Sequence, residues 1–205
     1  MLDGQMRRLI DPVIGIWSLR LVRAGWTANG MTAFGLGTGL IAAGMIALNS
    51  PGWLALLPLL ASRVADGLDG GIARATQKTD FGGFLDIVAD FLFYGAIPLA
   101  FALRLPEANA VAAAFVLMTF YANGASFLAY AVLAERRGMQ TSARGEKSMY
   151  FTSGLLEGTE TIAFFAVICL WPGSFPVLAW IFGTLCLYTT AARVLLARRV
   201  FGPKR

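Results

Sequence analysis

Apolar residues in this chain come in long runs, not in the alternation of a half-buried strand or the narrow stripe of a soluble amphipathic helix. Crossing a bilayer takes about 20 residues. Six runs are long enough, near 31–49, 53–75, 81–103, 108–134, 150–171 and 175–197. Three of the breaks between them are short and built from turn formers: NSPG at 49–52, RLPEAN at 104–109 and WPGS at 171–174. Residues 3–23 follow another pattern. Leu9, Val13, Ile16, Trp17 and Leu21 recur at roughly helical spacing, interleaved with Arg7, Arg8, Arg20 and Arg23. Such a pattern suits a helix lying in the membrane interface. Pro12 weakens that helix, and a disordered basic tail is the alternative. Gly25 breaks the pattern, and Thr27, Asn29 or Thr32 is placed to cap the first span. The expectation is an all-α polytopic membrane protein, with an interfacial amphipathic helix over 1–25 and six transmembrane helices forming one domain over 26–205.

Composition removes the soluble reading. The chain is only 14% charged, where a soluble domain is usually about 25% charged. It has no histidine, which excludes His-based zinc sites and Ser-His triads. Cys169 and Cys186 sit in AVICLW and TLCLYT and read as small core hydrophobes, not as a disulfide or metal pair. In a chain this apolar, a net charge of +5 points to anionic lipid and not to nucleic acid. The N-terminus, MLDGQMRRLIDPV, is too polar for a cleaved signal peptide. Arg7, Arg8, Arg20, Arg23, Arg74, Lys78, Arg136, Arg137, Arg144, Lys147, Arg198, Arg199, Lys204 and Arg205 fall at one set of span ends; the other set holds only Arg104. The positive-inside rule therefore places both termini and the loops near 76–80 and 135–149 in the cytoplasm.

Against that apolar background, residues 66–90 read DGLDGGIARATQKTDFGGFLDIVAD, with five aspartates. Asp80 lies in the short loop, where a solvated charge needs no explanation. On helices, Asp66 and Asp69 share a face, as do Asp86 and Asp90. Spans two and three run antiparallel, so the two pairs can meet near the cytoplasmic surface. Four clustered carboxylates repel one another, and divalent cations remove that cost. Hard oxygen ligands suit Mg²⁺, Mn²⁺ or Ca²⁺, and four aspartates suffice for two ions that clamp a transferring phosphoryl group. Gly67, Gly70, Gly71, Ala73, Gly82 and Gly83 either let helices pack closely or leave room for a ligand. Arg74, about one turn beyond Gly70, either faces an anionic ligand or pairs with an aspartate. Two other readings of the acids compete: structural ion pairs, for which only Arg63, Arg74 and Lys78 are near in sequence, and a cation pathway. A pathway would spread acids through the bilayer; these gather at one end.

The order Asp66-x-x-Asp69-Gly70-x-x-Ala73-Arg74, then seven residues, then Gly82-x-x-x-Asp86-x-x-x-Asp90 resembles the signature of the CDP-alcohol phosphotransferases. Every fixed position is filled. The gap before Gly82 is slightly shorter than is usual for the family, a difference that falls in the connecting loop. The six-span layout is similar too. The resemblance implies an enzyme that cleaves the pyrophosphate of a CDP-linked substrate, joins the phosphoryl group to an alcohol and releases CMP. It implies that Asp66, Asp69 and Asp86 bind two divalent metal ions, Mg²⁺ or Mn²⁺. Asp90 would contribute to that metal site and act as general base. For the CDP group it implies Asp69, Gly70, Ala73, Arg74 and Gly82. It further implies a homodimer in a bacterial inner membrane.

The favoured reading is phosphatidyl transfer from CDP-diacylglycerol to a polar alcohol. The same motif serves transfer of a phosphoalcohol from a CDP-alcohol to diacylglycerol, which remains the alternative within the family. For the acceptor, Arg193 lies within span six, and the loop ERRGMQTSARGEKSM supplies Arg144 and Lys147. These three would hold an acceptor phosphate, or the loop residues are simple membrane-surface charge. Glu157 and Glu160, three apart in LLEGTETI, either pair with Arg193 or bond acceptor hydroxyls.

Overall fold

The computed structural model describes residues 3–139 and 158–203. These are helical almost throughout. The helices are α1 (Asp3–Arg23), α2 (Ala28–Ala47), α3 (Gly52–Ala75), α4 (Asp80–Arg104), α5 (Pro106–Arg136), α6 (Gly158–Leu170) and α7 (Phe175–Phe201). A 3-10 turn, Pro172–Ser174, joins the last two. Two of the starts share a device. Thr27 and Thr79 are extended, and each Oγ1 accepts from the amide three residues on, Gly30 at 3.1 Å and Gly82 at 3.0 Å. Thr27 is thus the cap of the first span, and that span begins earlier than the apolar run suggested. Asp80 adds an acidic side chain to the first turn of α4, where the helix dipole favours it. At the NSPG break, Asn49 takes a left-handed φ of 61° before Pro51 and the start of α3.

Helix α1 runs unbroken through Pro12. It docks on α3 through Ile14 and Ser18, which are buried against Gly67 and Gly71. A Cβ at Gly71 would strike the Ser18 hydroxyl, so this approach needs glycine. Ser18 also donates to the Leu68 carbonyl at 3.4 Å. Val13, Ile16 and Trp17 point away from the protein, each more than half exposed. The side of α1 that touches α3 is therefore not the whole apolar stripe, and most of that stripe faces outward.

The core lies between the long helices. Phe93, Phe101, Phe165 and Phe175 are fully buried, and Phe101 stacks on Phe175 with ring centres 4.5 Å apart. Glycines make space for rings from neighbouring helices: a Cβ at Gly39 would come within 2.5 Å of Phe93, and one at Gly124 within 2.5 Å of Phe91. Cys169 and Cys186 are buried free thiols, as their apolar surroundings suggested. Large apolar side chains also cover the outside, among them Leu57, Leu99, Leu103, Val111 and Ile181. An outward surface of this kind suits lipid and not water.

Four helices, α2, α4, α5 and the stretch Pro172–Phe201, are long and apolar enough to cross a membrane. Helix α3 is long enough, but Arg63, Asp66, Asp69 and Arg74 make it too charged to qualify by composition. Helix α6 is described over only 13 residues, and the first part of its apolar run lies outside the described residues. The count of six spans is therefore met by four helices on composition.

The helices alternate between two ends. At one end, Arg104 donates to the Ser50 carbonyl at 3.2 Å, and the start of α3 abuts Cys169 at the end of α6. At the other, the last turn of α3 and the first turns of α2 and α4 meet. Arg137, just past α5, there donates to the carbonyls of Val200 and Phe201 at 3.0 and 2.9 Å. Arg74, Lys78, Arg136, Arg137, Arg198 and Arg199 lie at this second end, and the aspartates of α3 and α4 lie at or near it.

Candidate active site

Helices α3 and α4 bring the aspartates together. One carboxylate oxygen from each of Asp66, Asp69 and Asp86 lies within 4.8 Å of the others. Asp69 is buried, while Asp66 and Asp86 are half-buried. Spacing of three along α3 aligns the first two, and the antiparallel return of α4 supplies the third. Oxygens at this separation suit one or more hard divalent cations.

Neighbours fix these acids in place. Thr32 of α2 donates to Asp69 Oδ2 at 2.6 Å. Arg63 Nη1 donates to Asp90 Oδ1 at 2.8 Å and lies 3.7 Å from Asp66 Oδ1. Asp90 thus stands on the same face as Asp86, one turn on, but its carboxylate is held by a guanidinium. The Arg63 side chain is only 8% exposed and lies on the Phe93 ring, 3.8 Å from its centre. The structural ion pair weighed for these acids exists for Asp90 and, more loosely, for Asp66.

The small residues and Arg74 complete this end. Arg74 is exposed and folds back along α3; its Nη1 would lie 3.3 Å from a Cβ at Gly70. Among the described residues it has neither a hydrogen-bond nor an ion-pair partner, so it does not pair with a neighbouring aspartate. Ala73 is half-buried one residue away. A Cβ at Gly82 would meet Thr79 Oγ1 at 3.0 Å and Asn29 Oδ1 at 3.1 Å, so glycine allows α4 to start against α2.

Arg193 of α7 reaches α5, where Nη1 donates to the Asn123 carbonyl (2.9 Å), Asn123 Oδ1 (2.7 Å) and Ser126 Oγ (2.7 Å). Its guanidinium also lies 5.7 Å from the Phe127 ring centre. Phe91 covers Gly124, so this polar knot sits level with the part of α4 that carries Asp90. Glu160 is half-buried in the first turn of α6. Arg144, Lys147 and Glu157 lie outside the described residues.

Thr32 and Arg63 escaped assignment to the site from sequence, where Thr32 read as a cap and Arg63 as one of three nearby bases. A signal for Arg63 exists, since a cation three residues before Asp66 shares its helical face. For Thr32 there is none, because the contact joins residues 37 apart.

A helical bundle with convergent aspartates on two adjacent helices, in that order and spacing, defines the class. The model for CDP-alcohol phosphatidyltransferase matches residues 26–191, and the chain belongs to that family. It is 44% identical to inner membrane protein YnjF of Escherichia coli (strain K12) over 196 residues, 95% of this chain and 94% of that one. Its fold is similar to that of the Mycobacterium tuberculosis phosphatidylinositol phosphate synthase PgsA1, solved with CDP-DAG bound. The TM-score is 0.71 at 17% identity, covering 91% of this chain and 94% of that one.

Proposed function

We propose that this chain transfers the phosphatidyl group of CDP-diacylglycerol to the hydroxyl of a polar, phosphorylated alcohol and releases CMP. The observation that carries this reading is the convergence of Asp66, Asp69 and Asp86 at the end of the bundle where α3 and α4 meet. In this reading the three carboxylates hold two divalent cations, Mg²⁺ or Mn²⁺, and the donor set fits them: hard oxygens on two rigid helices, one oriented by Thr32. Ions held by Asp66, Asp69 and Asp86 would neutralise the charge that builds on the departing CMP.

The chain's own residues do the rest. Arg74, which has no partner among the described residues, lies against the diphosphate. Asp69, Gly70, Ala73 and Gly82 line the nucleotide's place, the small residues leaving backbone-level room. Asp90 takes the acceptor's hydroxyl proton as general base and also borders the metal site. The acceptor oxygen bonds to the phosphorus that bears the diacylglycerol, the bond from that phosphorus to the bridging oxygen breaks, and CMP departs with it. Arg193, level with Asp90, supplies fixed positive charge for an acceptor phosphate, because guanidinium pairs with phosphate through paired hydrogen bonds. Glu160, in the first turn of α6, is a further candidate for acceptor contact, as are Arg144, Lys147 and Glu157, which lie outside the described residues.

In this reading the protein is a multi-pass inner-membrane homodimer with six spans and α1 in the interface. Its termini and active-site end lie in the cytoplasm, where basic residues concentrate and soluble CMP leaves. The outward Val13, Ile16 and Trp17 of α1 support the interfacial placement.

The test is CMP release by purified protein from CDP-diacylglycerol, with and without Mn²⁺, against phosphorylated and unphosphorylated alcohols. Metal-dependent release with a phosphorylated alcohol is expected. Preference for unphosphorylated alcohols refutes the acceptor assignment, and activity only with a CDP-alcohol and diacylglycerol refutes the direction of transfer.

A further inference from the structure

Arg63 is an unusual residue to place where it lies. Its guanidinium is almost fully buried in an apolar bundle and is wedged over Phe93, itself fully buried, with Tyr94 5.6 Å away. Ser62 Oγ accepts from Nη2 at 3.2 Å, and Nε is buried with no partner among the described residues. A buried cation of this kind is costly unless closely paired. Its charged partners are two members of the acid cluster, Asp90 at 2.8 Å and Asp66 at 3.7 Å. The Nη1 group therefore spans the convergent trio and the fourth aspartate at once.

We propose that Arg63 is a positioning residue and resident counter-cation of the acid cluster: it fixes Asp90 beside the Asp66–Asp69–Asp86 trio, and its charge opposes the entry of divalent cations. This rests on the metal-site reading above. Four carboxylates share a small volume, and Arg63 supplies the only fixed positive charge ion-paired with them among the described residues. Before a metal enters, that charge lets the acids stay close. Once a metal binds Asp66, guanidinium and metal are like charges facing the same carboxylate. Arg63 thus stabilises the metal-free state more than the loaded one. It also keeps Asp90 pointed at one place, which a base that must meet an acceptor hydroxyl requires.

The test is Mn²⁺ binding, followed by electron paramagnetic resonance, together with melting in detergent, on wild type, Arg63→Gln and Arg63→Lys. Arg63→Gln should bind Mn²⁺ about tenfold more tightly, less than the bare Coulomb value because solvent and salt screen it. Its melting temperature should fall further in EDTA than in saturating Mn²⁺. Arg63→Lys, with the charge kept and the fork lost, should hold Mn²⁺ affinity within about twofold of wild type. Equal melting losses with and without Mn²⁺ and unchanged affinity in Arg63→Gln would overturn the proposal, leaving a merely structural ion pair. A tenfold affinity change in Arg63→Lys would overturn it too, even if Arg63→Gln cannot be folded. Wild type that binds no Mn²⁺ would instead overturn the metal-site reading.

Discussion

Thr32 offers the sharpest probe of how the acid cluster is built. Its Oγ1 has one proton and lies 2.6 Å from Asp69 Oδ2 and 3.1 Å from the Ala28 carbonyl. The shorter, charged acceptor takes the proton. Both residues are buried, Thr32 at 6% and Asp69 at 5% exposure, so water does not replace a lost bond. Thr32→Val keeps the shape and removes the donor. A hydrogen bond to a charged group contributes about 1.5–3 kcal/mol. If that energy serves to orient Asp69 for metal, each 1.4 kcal/mol is worth about a factor of ten. The expected loss in Mn²⁺ affinity is then between about tenfold and a hundredfold, the range seen for partners that orient metal ligands. The assay is the Mn²⁺ dependence of CMP release, with Thr32→Ser as the control that keeps the hydroxyl. A folded Thr32→Val protein with the wild-type Mn²⁺ midpoint would refute the reasoning. Asp69 would then be held by the helix alone.

Four further outcomes are expected. Asp86→Asn should lower turnover more than about a hundredfold with the fold intact, and EDTA should silence wild type; full activity in EDTA rules out the metal centre. Arg193→Gln should raise the acceptor KM at least about tenfold, with binding of the CDP-lipid nearly unchanged, because a charge-assisted bond to phosphate is lost. Gly52→Ala should cost about 1–3 kcal/mol of stability, since its Cβ would land on the Cys169 carbonyl, and melting in detergent reads this directly. Cysteine labelling should find Gln5 and the C-terminus on the cytoplasmic side and Pro51, Pro106 and Gly173 on the other; a cytoplasmic Pro106 contradicts the topology.

Much of the bundle was legible in local chemistry. Helices α3, α4 and α7 begin within a residue of where their apolar runs do, and Pro51, Pro106 and Pro172 mark the breaks between helices. Those signals are short-range: a run of apolar side chains and a residue that cannot continue a helix act wherever the chain goes. Helix α2 was less well bounded. The apolar run starts at Met31, but Thr27 supplies the cap and the helix opens on polar residues. Helix α1 forms as its periodicity suggested despite Pro12, because docking of Ile14 and Ser18 on α3 supports a helix that local propensity disfavours.

The acid cluster shows where the division falls. The facing of Asp66 with Asp69, and of Asp86 with Asp90, follows from helical spacing alone. So does the expectation that two antiparallel helices joined by a short loop bring the pairs together. Spacing cannot say how the charge divides among four like carboxylates, since that depends on which cation reaches which oxygen across helices. The family resemblance had already set Asp66, Asp69 and Asp86 apart from Asp90, but only the packed bundle decided that Arg63 holds Asp90 and that Thr32, 37 residues from Asp69, supplies its hydrogen bond. Sequence determined which residues carry the charge, because the signature and the helical period are local properties. Tertiary structure decided how that charge is shared, because a buried electrostatic interaction depends on distances that exist only after the helices have packed.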